Sequence, residues 1–504
     1  MKAENTKNYY NIRPVVIVAT GFIFGIITAY LYLTEKVYLS LCLLVVGSLC
    51  ALAVLGVLAY KRKVFTCALI AVTIILYVFG FFYTLIRTDK VVNSNIYGNQ
   101  TFNSIITEIK SETTSENGYV YELVLETNDF KIEGLKINAS AYCSDRLFTG
   151  TKLKVNANLY KIKIDNFSIS TNVYYGANSI EIIENYGISG VFYKLKHKLV
   201  TLFEKTMPNV YGTNYALLTG DTQYISETLL TKYRQMGIAH VFAVSGLHIG
   251  LMYLLLSTFL KAIKVKPKLK VLIVIPLLTL YVAFCGFTPS SLRAFIIISV
   301  AMLAGVFGLK PDSSSSLFLS ALIVLLINPC DLLSVGFQLS FVVYLGLTVL
   351  SAPFSKLLSR FISEKVASVL SPYIVAHLVS FPIILDAFSF VQPLAFALNL
   401  VIVPIISFLY GFSLILAVLQ LIFQSATIFT VIPKVFLGVI NKHILSVDTS
   451  VFLIENFKIS YSMPFYYGYL YLLSGKINFS AKTLKILRII FLSLFILVVT
   501  LLNI

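Results

Sequence analysis

The feature that most constrains this chain is a succession of long, uninterrupted apolar runs separated by short basic loops. Three such runs open the sequence, at about 14–33, 38–60 and 64–86. Each has the ~20 residues a helix needs to cross ~30 Å of hydrocarbon. Apolar character returns near 241 and continues to the end. Spans are expected near 242–260, 271–289, 292–309, 314–328, 333–353 and 366–386, then a long run at 391–424 and spans near 459–475 and 485–503. Hydrophobic residues make up 58% of the chain and charged residues 12%, about half the charged share of a soluble domain. A soluble enzyme, a disordered chain and a disulfide scaffold are thereby excluded. A transmembrane barrel would alternate in short segments, and these runs are continuous. The fold class is a polytopic α-helical membrane protein with a small all-β, OB-fold-like extracellular domain.

The formal charge is +17, unevenly spread. Residues 91–190 hold 8 basic and 11 acidic side chains. The basic excess lies elsewhere, in short loops such as Lys61-Arg62-Lys63, Lys261–Lys270 and Lys356–Lys365. The positive-inside rule puts those loops in the cytoplasm; attraction of a polyanion is a second use for the same charges. The first run lacks a small-residue cleavage site and is followed at once by another, so it reads as a span rather than a signal peptide. Three crossings from a cytoplasmic N-terminus bring the chain outside near Arg87, so residues 91–240 are expected to be extracellular.

Within that stretch, alternation predicts strands at Phe102–Ile109, Tyr119–Glu126, Phe130–Asn138, Lys152–Ile162 and Ser179–Ile183. Five short strands suit a small closed barrel of the OB type, with a small sandwich as the other possibility. Residues 191–207 place Val191, Leu195, Leu199, Leu202 and Phe203 on one helical face and four lysines elsewhere, the pattern of a helix lying on the membrane surface. Four segments result: three spans in 1–90, the β domain in 91–190, the surface helix and a linker in 191–240, and a membrane core in 241–504. In the run 391–424, Asn399 and Pro404 could break the helix into two short pieces, leaving 425–445 as an amphipathic surface helix; a single crossing is the alternative.

No CxxC pair occurs among the six cysteines, and the five histidines form no HExxH or HxH pair, so no zinc ribbon or metallohydrolase site is expected. No Walker A loop is present. Neither a cofactor, a metal nor a catalytic residue is expected. Polar residues inside the apolar core are the candidates for function. Gly220-Asp221 precedes a segment running from His240 through Ser245-Gly246-Leu-His248-Ile-Gly250. Ser245 and His248, three residues apart, share a helix side; a packing seam with a hydrogen-bonded histidine is the plainer explanation. Arg293 follows Pro289-Ser-Ser-Leu in the first turn of a span. It needs acceptors or a passing phosphate if it faces inward, and otherwise snorkels to headgroups. Gln338 and Ser340 interrupt another span, where interhelical hydrogen bonds would explain them as well.

Taken together, Gly220-Asp221, His240–Ile249, Gly286–Ala294, Gly336–Phe341 and the Asn399–Pro404 stretch occur in the order in which the ComEC family of competence DNA-uptake channels carries its motifs. The chain resembles that family over nearly its whole length, in a short form without the metallo-β-lactamase-like domain many members append. The resemblance implies a channel in the bacterial cell membrane that passes single-stranded DNA during natural transformation, not an enzyme. Asp221, His240, Ser245, Gly246, His248, Arg293, Gln338, Ser340 and Asn399 would line the path. It also implies a competence DNA receptor, a separate nuclease and a cytoplasmic ATPase or helicase as partners, besides the bilayer. Two other readings remain: an intramembrane serine protease using Ser245 and His248, and a permease for small solutes or lipid-linked precursors.

Overall fold

The computed structural model describes residues 13–33, 64–92, 96–115, 118–127, 129–130, 134–162, 171, 173–388, 390–392, 395–423, 429–447, 454–455, 459, 462–474 and 480–503. The expected span at 38–60 lies outside them. The chain divides into two compact units, residues 1–93 with 310–332, and residues 94–309 with 333–504.

In the first unit α1 (Pro14–Leu33) packs on α2 (Val64–Val92) and on α9 (Ser313–Ile327). Glycines set the α1–α2 distance. A Cβ on Gly25 would lie 2.1 Å from Tyr77 O, and one on Gly80 would lie 2.7 Å from Phe22 O, so the two backbones touch. Small residues at such a crossing allow close helix contact in lipid. Asp312 caps α9 through Ser315 N at 2.8 Å and pairs with Arg13 at 2.9 Å. With 15 residues, α9 is about 22 Å long and falls short of the crossing expected at 314–328.

The second unit begins with five strands, β1 (Gly98–Ser115), β2 (Gly118–Thr127), β3 (Leu135–Cys143), β4 (Thr151–Lys161) and β5 (Val173–Ile188). They close into a barrel in the order β1-β2-β3-β5-β4, antiparallel except for β3 with β5. This is the five-stranded OB arrangement. Leu153, Val155, Ala157 and Leu159 of β4 point inward at alternate positions, against Ile106, Leu123 and Ile137. The third strand starts at Leu135 instead of Phe130, because the Asp129 carboxylate accepts the Asn103 N–H at 2.5 Å and folds 129–130 into a turn. The fifth runs well beyond the expected Ser179–Ile183, since it pairs along both β3 and β4.

The barrel rests on α3 (Val191–Thr206). Gly150, at φ +85°, admits the Tyr193 ring where a Cβ would stand 2.3 Å from it. Arg146 bridges Glu112 at 3.0 Å and Glu204 at 3.3 Å, and the His197 ring meets Phe148 at 4.3 Å. The Leu199, Val200 and Phe203 side of α3 is covered by protein, not left for lipid as its amphipathic pattern suggested. It packs on α4 (Tyr211–Thr219), a short helix buried from Gly212 to Thr219. Then come α5 (Glu227–Gln235) and a 3-10 turn at Ala239–Val241.

The remaining helices are α6 (Gly246–Ala262), α7 (Pro267–Phe284), α8 (Pro289–Val306), α10 (Val335–Leu358), α11 (Glu364–Phe388), α12 (Ala395–Ile422), α13 (Val431–Ser446), α14 (Met463–Leu473) and α15 (Ala481–Asn503), with a two-residue pairing of β6 (Phe390–Val391) and β7 (Ile454–Glu455). Among the described residues nine helices are long and apolar enough to cross a membrane, and the protein is a multi-pass membrane protein. Two expectations are corrected. The run 391–424 is not broken at Asn399 or Pro404: α12 is one helix of 28 residues with Pro404 inside it, a residue that spanning helices tolerate when neighbours satisfy the freed carbonyl. At 459–475 the helix has only 11 residues. Its C-terminal end is closed by Arg488 of α15, whose guanidinium donates to Leu472 O at 2.8 Å.

Candidate functional site

Two helices, α6 and α8, begin side by side, and the second and third turns of α10 pack against them. All three start with a hydroxyl cap: Ser245 accepts Leu247 N for α6, Thr288 accepts Ser291 N for α8, and Ser334 accepts Phe337 N for α10. None of the three has an acidic residue in its first turn. A helix N-terminus carries roughly half a positive charge, so the junction is electropositive before any side chain is counted.

Arg293 stands in this junction. It lies in the second turn of α8 and is 8% exposed. A Cβ on Gly246 of α6 would come 3.1 Å from its terminal nitrogen Nη2, so the glycine makes room for the guanidinium. On the α10 side the guanidinium carbon is 5.1 Å from the Tyr344 ring centroid and 6.0 Å from that of Phe341. Ser340 Oγ of α10 reaches Ser290 Oγ of α8 at 3.2 Å. Arg293 Nε is buried with no hydrogen-bond partner, and among the described residues no carboxylate pairs with the side chain. Arginine stays charged in any surroundings, and an uncompensated buried charge costs several kcal/mol. Cation–π contacts return about 2 kcal/mol when desolvated. The site is electrostatically incomplete as it stands, and an anion would complete it.

Ser245 and His248 are neighbours in a different sense from the one their spacing suggested. His248 Nδ1 lies 3.2 Å from Ser245 N and 3.1 Å from Ser245 Oγ, a capping box that starts α6. The His248 ring is buried against Tyr410 of α12. Tyr410 Oη is 2.8 Å from Tyr281 Oη, which donates to Leu218 O at 3.0 Å. A second buried polar chain holds α4. Ser413 Oγ donates to Asn214 Oδ1 at 2.7 Å, Asn441 Nδ2 donates to Thr213 Oγ1 at 2.9 Å, and Tyr233 Oη donates to Asn441 Oδ1 at 2.9 Å. Helices α4, α5, α6, α7, α12 and α13 are thus linked behind the junction.

The structure therefore brings Ser245, Gly246, His248, Arg293 and Ser340 to one end of the bundle. Gln338 lies one turn before Phe341 on α10. Three expected residues are placed elsewhere. Asp221 follows Gly220, the left-handed C-cap of α4 at φ +80°, and its carboxylate is held by Gln223 N at 3.2 Å and Nε2 at 2.8 Å. Burial pushes this carboxyl above its ordinary range, against the pull of nearby Lys196 and of the Gln223 hydrogen bonds. His240 is exposed in the 3-10 turn before α6. Asn399 sits in the second turn of α12, where its buried Oδ1 has no partner. Sequence reasoning missed Phe341 and Tyr344. They follow Phe337 at four and seven residues, one face of a helix, but apolar periodicity does not distinguish a lipid-facing ring from one lying over a cation. Tyr281, Tyr410 and Asn214 were equally hidden, because a single polar atom in an apolar run is visible only once its partner is placed.

Comparison with known proteins gives three findings. The Competence family model, described as Competence protein, matches residues 217–478. ComE operon protein 3 of Bacillus subtilis is 30% identical over 201 residues, which is 40% of this chain and 25% of that protein. Uncharacterized protein MG316 of Mycoplasma genitalium is 30% identical over 210 residues, 40% of this chain and 55% of that protein. The matches therefore span a quarter to about half the length of these relatives. No solved structure matches the chain.

Proposed function

The chain belongs to the Competence protein family, and from that premise we propose that it is a cell-membrane channel through which single-stranded DNA enters the cytoplasm during natural transformation. One observation carries the reading: the Arg293 guanidinium is buried where α6 and α8 begin, against Phe341 and Tyr344 of α10, with no acceptor for its Nε. A strand brings one phosphate per nucleotide to such a place and exchanges its hydration for N–H donors. A path needs few and weak contacts so that the strand can leave again, and among the described residues Arg293 has no carboxylate partner to displace. In this reading the barrel and α3 stand on the outer side, the lysines at 261–270 face the cytoplasm, and the chain performs no catalysis. A DNA receptor, a nuclease for the second strand and a cytoplasmic motor are the partners it requires. The test is passage of a labelled single strand into liposomes containing the purified protein. Passage that is lost in Arg293→Gln at equal protein content supports the channel; liposomes that stay impermeable to every strand end it.

The 3.1 Å contact of Ser245 Oγ with His248 Nδ1 favours a second reading, an intramembrane serine hydrolase. Against it, the same nitrogen faces the Ser245 N–H at 3.2 Å, and the ring abuts Tyr410, not an orienting carboxylate. Ser245→Ala with undiminished DNA uptake removes the hydrolase.

A further inference from the structure

Arg293 is held by rings rather than by acceptors. Phe341 and Tyr344 lie three residues apart on α10, on one face, and both come within 6.0 Å of the guanidinium carbon. Phe341 is buried and stacks on Phe337 at 4.1 Å, which fixes its plane. Opposite the rings the guanidinium meets Gly246 of α6, which offers it no side chain: a Cβ there would stand 3.1 Å from Nη2. A cation over a ring has its charge stabilised, yet the ring face meets few of the five N–H donors. A phosphodiester satisfies the charge and two donors at once, so it displaces the rings. The rings then present free faces of the size of a nucleobase, and stacking on them is indifferent to base identity.

We propose that Arg293, Phe341 and Tyr344 form a one-nucleotide station, in which the guanidinium takes a phosphodiester and the released rings take the adjacent base. The substrate class is then a polynucleotide strand with unpaired bases, not any polyanion. A duplex keeps its bases stacked on one another, and inorganic polyphosphate offers charge alone. This inference rests on the channel reading for its physiological setting, but its test is a binding measurement.

The full-length protein in detergent is titrated with two fluorescent oligonucleotides of equal length, oligo-dT and its abasic counterpart, which carry the same phosphates. The unmutated protein is expected to bind oligo-dT about tenfold more tightly. Phe341→Leu and Tyr344→Leu should abolish the difference in affinity between oligo-dT and its abasic counterpart, whereas Arg293→Gln should weaken both. Ultraviolet crosslinking of a 5-iodouracil oligonucleotide to the unmutated protein needs no variant and should label Phe341 or Tyr344. Equal affinity for the two oligonucleotides, or crosslinks confined to other residues, overturns the station and leaves the channel standing. A station that binds as described in a protein whose liposomes pass no strand overturns the channel instead.

Discussion

The His248 ring stands edge-on to the Tyr410 ring with centroids 4.4 Å apart, and the Tyr410 hydroxyl reaches the carbonyl oxygen of His248 at 3.2 Å. The start of α6 is therefore fixed from α12 as well as by its own cap. Through the Tyr281 hydroxyl the same contact extends to Leu218 O at the end of α4.

Tyr410→Phe removes that hydroxyl and leaves two buried polar groups short of a partner. The fold should lose about 1–3 kcal/mol in denaturant titration of the detergent-solubilised protein. Tyr281→Phe should cost a similar amount. The double variant should cost less than the sum, since both act on one chain of hydrogen bonds. Additive losses would show that the two hydroxyls act independently.

Arg293→Met exchanges an unpaired buried charge for an apolar side chain of similar length. Thermal unfolding should be unchanged or shifted toward higher stability by about 1–4 kcal/mol, the range seen when buried charges are replaced by apolar side chains. Strand passage should be abolished in the same preparation. A variant that is both inactive and clearly less stable would mean that Arg293 supports the packing.

Burial, and then the nearby Arg146 charge, push the His197 imidazole below its ordinary range. The folded joint between the barrel and α3 thus prefers the neutral ring, while the unfolded chain takes up a proton near pH 6.5. The contribution of His197 is fully present above about pH 6.5 and is lost as pH falls below it. Glu112, in the same cluster with Arg146 and Glu204, acts in the opposite sense at lower pH, because burial raises its carboxyl despite Arg146. Hydrogen-exchange protection, corrected for the intrinsic rate at each pH, should fall across residues 146–150 and 193–204 from about pH 7 to 5.5, and His197→Gln should flatten that dependence. An identical profile in the variant would remove His197 from the effect.

Gly25→Leu should separate α1 from α2, because its first side-chain carbon alone would fall 2.1 Å from Tyr77 O. A loss of about 1–3 kcal/mol is expected from overpacking. Ala should also destabilise, by less. A Leu variant with unaltered melting would show that the two helices can slide without cost.

Much of the fold was legible because its signals are local and repeated. The α1 run at 14–33 matches the helix, and alternation from Lys152 marked the strand β4, since either pattern is written in adjacent residues. The errors came where a distant partner decides. Asn399 and Pro404 look like breaks until the packing of α12 is known, and Phe130 looks like strand until Asp129 finds Asn103 N. At the site, the Ser245-x-x-His248 spacing correctly put two side chains together, but it could not separate a helix cap from a catalytic pair. Arg293 was found because a fixed charge in an apolar helix is conspicuous. Its ring partners lie some fifty residues downstream and carry no charge to betray them.

The first unit is assembled from pieces separated by more than two hundred residues: α9, from Ser313, packs on α1, and Tyr83 of α2 donates to Leu326 O. The ribosome releases α1 and α2 long before α9 exists. Early in synthesis, then, α1 and α2 wait in lipid without the helix that packs on α1, while the whole barrel is made in between. Biogenesis of this protein cannot follow the order of its genetic text, and a truncation anywhere before residue 313 would forfeit the opening helices' third companion as well as everything downstream.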